Sequence, residues 1–134
     1  MTSFNPVQGA VYAVLTGDAV LRGMVSGVYD EVPERAAPPY IRIGEAYEIP
    51  DNAHGVLGRQ TIVTVHIWSR QRGFSEATAI ADRVSAVLDH QPLSVPGRHH
   101  VATRYEFGQT VSESSGPGLR HVVMRFRVLT EIEE

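Results

Sequence analysis

The chain has 134 residues, 43% hydrophobic and 20% charged, enough for one ordinary core and too few for two average domains, so a single domain over 1–134 is expected. Cysteine is absent and the 12 basic residues are all arginine, which excludes disulfides, thiolate metal sites, a cysteine nucleophile, a P-loop lysine and a Schiff-base lysine. A formal charge of -3 gives no net pull toward a polyanion, which disfavours a free-standing nucleic-acid binder.

The first segment, Met1 to Pro6, has neither a basic nor an apolar leader region, and no apolar run is long enough to span a bilayer. An intracellular soluble protein is expected. Asn5 is a candidate N-cap, Pro6 suits a first helical turn, and Val7, Ala10, Val11, Val14 and Leu15 follow at helical spacing, predicting a helix over Asn5 to Leu15 that ends near Gly17. Asp18 can cap a short second helix carrying Val20, Leu21, Met24 and Val25. Val28-Tyr29 reads as a brief strand, and the prolines between Pro33 and Pro39 make an extended connector.

Tyr40 to Ile49 is a predicted strand, followed by a long turn over Pro50 to Arg59. The clearest strand is Thr61 to Ser69, with Val63, Val65 and Ile67 on one side and Ile62, Thr64, His66 and Trp68 on the other. A helix follows in which Ala77, Ile80, Ala81, Val84, Val87 and Leu88 form a stripe, with Ser75 as its cap and Pro92 beyond its end. In the strand Val101 to Thr110, alternation puts Val101, Thr103, Tyr105 and Phe107 together, opposed to Ala102, Arg104 and Glu106. After a Ser/Gly/Pro loop at Ser112 to Gly118, the last strand, His121 to Thr130, alternates Val122, Met124, Phe126 and Val128 with Val123, Arg125, Arg127 and Leu129. The order predicts an α+β fold: an antiparallel or mixed sheet with two main helices packed on one face. The other face, with His66, Trp68, Arg125 and Arg127, is left to meet solvent or another chain, an apolar patch rimmed by arginine.

No catalytic constellation emerges. The six histidines, His54, His66, His90, His99, His100 and His121, lack metal-ligand spacing, so no metal is predicted. Ser114 and Ser115 sit in no nucleophile elbow, the acidic pairs read as solvated, and Gly116-x-Gly118 is only a fragment of a dinucleotide fingerprint, so no catalytic residue and no cofactor are predicted.

The stretches Val28-Tyr29-Asp30-Glu31-Val32-Pro33 and Pro38-Pro39-Tyr40-Ile41-Arg42-Ile43-Gly44-Glu45 are followed in order by His66-Ile67-Trp68-Ser69, Pro92-Leu93 and His121-Val122-Val123-Met124-Arg125-Phe126-Arg127. Together they resemble the small tail-completion proteins, or tail terminators, of long-tailed phages and gene transfer agents. The resemblance runs over almost the whole chain. It implies a non-enzymatic virion subunit, made in the cytoplasm and placed at the head–tail junction. It also implies a homo-oligomeric ring, a hexamer, between the tail tube protein and a head-completion or stopper protein, with DNA passing through the hole. Arg59 and Arg120, at loop margins, with Trp68, Arg125 and Arg127, are the candidate partner-interface residues. Two readings stay open beside it: another neck subunit such as a stopper or adaptor, and a small α+β ligand-binding domain or enzyme.

Overall fold

The computed structural model describes residues 1–112 and 119–132. Helices α1 (Phe4–Gly17), α2 (Ala19–Arg22) and α3 (Ser75–Leu88) pack against a five-stranded sheet of β1 (Val28–Tyr29), β2 (Tyr40–Pro50), β3 (Gly58–Ser69), β4 (Arg98–Ser112) and β5 (Arg120–Ile132). The strand order is β1-β2-β3-β5-β4, with β1 parallel to β2 and every other pair antiparallel, so the sheet is mixed.

One face of the sheet carries the core. Ile41 and Ile43 of β2, Val63, Val65 and Ile67 of β3, and Val122, Met124, Phe126 and Val128 of β5 are buried against Val7, Val11 and Leu15 of α1 and Ile80, Val84 and Leu88 of α3. Each of these large apolar side chains contributes about 1.5–3 kcal/mol by leaving water. The helical stripes and the alternation of β3 and β5 thus build the layer arrangement that the sequence predicts.

The helix ends differ from expectation. Asn5 lies inside α1, and Ser3 holds the N-cap position without a side-chain capping bond. The Ser3 hydroxyl instead accepts from Arg98 Nε at 2.9 Å and from Thr130 Oγ1 at 3.2 Å. Ser75 is the first residue of α3, and Gln71 does the capping: its Oε1 accepts the Glu76 N–H at 2.9 Å and the Ser75 hydroxyl at 2.8 Å. Asp18 caps α2 as predicted, accepting the Leu21 N–H at 3.0 Å. The same carboxylate receives a forked pair from Arg83 of α3, at 2.9 and 2.7 Å. That pairing, foremost, lowers the Asp18 pKa to about 2.

β4 departs most from simple alternation. Its register against β5 shifts between His100 and Ala102 and again between Tyr105 and Phe107. Each bulge turns the following residues over. Thr103 and Tyr105 stand opposite Val128 and Phe126 on the helix side, whereas Phe107 stands opposite Arg125 on the other face, and Val101 falls in the first bulge. The expectation that Val101, Thr103, Tyr105 and Phe107 share a side is therefore corrected. Gly108, opposite Met124, lets the Tyr105 phenol lie across it, because a Cβ there would come within 2.0 Å of the hydroxyl oxygen.

Candidate functional site

The face of the sheet away from the helices is built by residues that the cross-strand register places in rows. Tyr40 is paired with Trp68 and His121, Arg42 with His66 and Val123, and Tyr47 with Ile62, Arg127 and Arg104. Among the described residues no helix covers this face, yet Ile62 is fully buried and Thr64 is only 3% exposed. Long side chains lying flat across the rows, Arg127 among them, close off the middle.

Arg127 is fixed there. Its Nε donates to Glu106 at 2.8 Å, Nη2 donates to the same carboxylate, and Nη1 donates to Gln60. Arg125 sits over the Phe107 ring, 4.9 Å from its centroid, a cation–π contact. Exposed apolar groups border this pair: Tyr47, Ile49 and Phe107.

At the other end of the face, Trp68 stacks on His121 with ring centroids 3.8 Å apart. His121 Nε2 and His66 Nδ1 are 2.7 Å apart, and His66 Nε2 lies 3.3 Å from Glu45. An ionised carboxylate can only accept, so His66 carries its proton on Nε2; in the neutral ring Nδ1 is then the acceptor and His121 donates. The Glu45 pKa is lowered, first by its own backbone N–H and then by His66 and Arg42, against an opposing effect of burial. The close approach of the His66 ring requires glycine at position 44, where a Cβ would come within 2.6 Å of Nε2.

Trp68, Arg125 and Arg127 are thus on one face, as the alternation predicts. Arg59 and Arg120 are not with them. Arg59 pairs with Thr130 in the ladder on the helix side. It donates to the Met1 carbonyl at 3.2 Å, to Asn52 at 3.2 Å and to its neighbour Gly58 at 2.7 Å, and lies 3.8 Å from Glu48. Arg120 lies over the Phe74 ring at 5.7 Å and donates to the Leu119 carbonyl. The loop predicted at Ser112 to Gly118 falls mostly outside the described residues. The approach of His66 to His121 carried no trace in linear spacing, since it is made by adjacent strands 55 residues apart.

A recess of about 410 Å3 lies between α3 and β4, lined by Ala81, Asp82, Tyr105 and Met124 among others. Among the described residues that line it, the Thr78 hydroxyl is bonded to the carbonyls of Phe74 and Ser75 rather than to a base. Among the described residues, no group of three His, Asp or Glu side chains is placed to hold a metal ion, and no helix is long and apolar enough to cross a membrane.

No curated protein sequence matches the chain. Solved structures share the fold. A chain in the virion of a native gene transfer agent particle superposes with a TM-score of 0.89 at 24% identity, covering 97% of this chain and 98% of that one. The gp17 protein of bacteriophage SPP1 superposes with a TM-score of 0.63, also at 24% identity, over 91% of this chain and 86% of that one. Residues 9–131 match the family described as tail completion protein gp17. That match runs from within α1 almost to the end of β5, and the chain therefore belongs to the tail completion protein family, whose members are structural proteins of the virion tail.

Proposed function

We propose that this chain is a tail terminator subunit: copies of it close into a ring, a hexamer, that caps the finished tail tube and joins it to a head-completion or stopper protein, with DNA passing through. The family match over 9–131 carries this reading. The fold agrees with it, because among the described residues the sheet has one face without helices and two strands paired on one side only, which offers separate surfaces to a neighbouring copy and to partners above and below.

Trp68, Arg125 and Arg127 are assigned to protein contact on the uncovered face, where forked donors and stacked rings give orientation along with attraction. Arg120 and Arg59 are assigned to the two ends of the subunit. Arg59 acts there by fixing the turn at 51–57 and the start of the chain, through its bonds to Asn52 and Met1.

Deletion of the gene, with electron microscopy of the resulting lysate, tests the assignment. Filled heads and separate tails, joined again on supplying the chain, are expected, with a rotationally symmetric collar of this chain in the restored particle. Complete particles without the gene, or a single copy per particle, would overturn it.

A further inference from the structure

We infer that successive copies meet edge to edge and head to tail, with Arg104, Arg125 and Arg127 beside the β4 edge of one copy set against the acidic segment Asp30, Glu31 and Glu34 beside the β1 edge of the next. The inference rests on the ring reading and names the surfaces that close the ring.

The starting observation is an unfavourable one. Arg104 stands directly opposite Arg127 in the β4–β5 ladder, and like charges facing across strands destabilise a sheet. Arg127 is answered by Glu106. Among the described residues, Arg104 donates only to the adjacent Thr103 carbonyl, at 3.4 Å, and Arg125 has only the Phe107 ring. Three guanidinium groups therefore share one carboxylate at this edge. Other exposed arginines also lack a carboxylate, but among the described residues none of them faces a second arginine across a ladder.

The opposite edge has the complementary excess. Asp30, Glu31 and Glu34 are all exposed, with Arg35 the one cation in that stretch of sequence. Asp30 accepts from the Gln8 amide at 3.0 Å, and among the described residues none of the three carboxylates forms an ion pair. β1 ends in the row Tyr29, Arg42, His66, Val123 and Gln109, so the acidic segment leaves its edge at a level that reaches β4 two residues from Phe107.

Charge also decides the symmetry. A two-fold contact through the β4 edge would bring two patches of net positive charge together, and one through the β1 edge two patches of net negative charge. A heterologous contact between the two edges sets patches of opposite net charge together, and such a contact, where its rotation closes, builds a ring. β4, paired on one side only, is kept from indiscriminate strand addition by its two bulges and by Arg104 and Glu106.

Two variants test this in particles assembled in cells lacking the wild-type gene: Arg104→Glu, and the double change Glu31→Arg with Glu34→Arg. All three positions are exposed, so the purified variants should unfold no lower than slightly below the wild-type temperature, and Arg104→Glu, which sets a carboxylate opposite Arg127, at or above it. Each alone should lower the yield of complete particles about tenfold or more. Expressed together they should restore it, because alternating copies present opposite charges at every contact of an even-membered ring. As the chain has no cysteine, Glu34→Cys combined with Gln109→Cys allows a bismaleimide to link copies specifically, and a covalent ladder in wild-type-like particles is expected. Symmetric collars with full yield from either single-charge variant, or no ladder, would overturn the edge assignment and leave the ring standing. A single copy per particle would overturn both.

Discussion

Trp68 lies flat against His121, ring planes within 9° of parallel, and His121 is in turn bonded to His66 at 2.7 Å. Because Trp68 is the only tryptophan, its fluorescence reports on this row of rings. Gly44→Ala should push the His66 ring off Glu45 and disturb the stack from the far side, since the new methyl would lie 2.6 Å from Nε2. A stability loss of about 1–3 kcal/mol and a shifted tryptophan emission are expected in urea titrations. An unchanged spectrum would show that the stack does not depend on the position of His66.

Ile80 is fully buried where α3 meets the sheet. Ile80→Asp would put an unpaired charge in that layer at a cost of about 4 kcal/mol or more. Little soluble folded protein should remain, and a monomeric, cooperatively unfolding Ile80→Asp chain would show that the α3 stripe is not core.

Acid should weaken the fold in two windows. Burial pushes the His100 pKa below its ordinary 6.5, so the stability tied to its neutral ring is complete above 6.5 and falls away as pH drops through the folded value. Asp18 has its folded pKa lowered from 3.8 to about 2, so its contribution is complete above 3.8 and is lost as pH falls toward 2. Asp18→Asn keeps a capping oxygen but removes the ion pair with Arg83. Its unfolding temperature should lie below wild type at pH 6, and the gap should close between pH 4 and about 2. A gap independent of pH would exclude the ionised carboxylate as its cause.

The two loop-margin arginines should behave differently. Arg59→Glu would place a second carboxylate beside Glu48, whose side chain is only 7% exposed, and would release the Met1 carbonyl. A loss of roughly 2 kcal/mol is expected from its urea midpoint. Arg120→Glu gives up one ring contact and one carbonyl bond, so a change within about 0.5 kcal/mol is expected, with any failure of head–tail joining then attributable to partner contact.

The fold class was legible because helix and strand periods are local properties. The stripes of α1 and α3 and the two-sided β3 follow directly from residue order. Caps were less so: Ser3 and Gln71 take their roles from partners such as Arg98 and Ser75, and Asn5 and Ser75 fit a capping pattern equally well on paper. The faces of β4 could not be read, because a bulge is set by pairing with β5 and flips Phe107 without any mark at Tyr105 or Glu106. On the uncovered face, alternation found Trp68, His66, Arg125 and Arg127 but not the confrontation of Arg104 with Arg127, which exists only once the register is known.

β3 is hydrogen-bonded along its whole length to β5, although α3 and β4 both lie between them in the sequence. During synthesis β2, β3 and both long helices leave the ribosome before the strand that completes their sheet. Until then Val63, Val65 and Ile67 border an open ladder, and β4, whose ladder partner is β5, has nothing to pair with. The nascent chain thus holds the β5-facing edge of β3 unpaired over a long stretch of its translation, and a product stopped before Arg120 would present that edge permanently to chaperones, proteases or other unfinished chains.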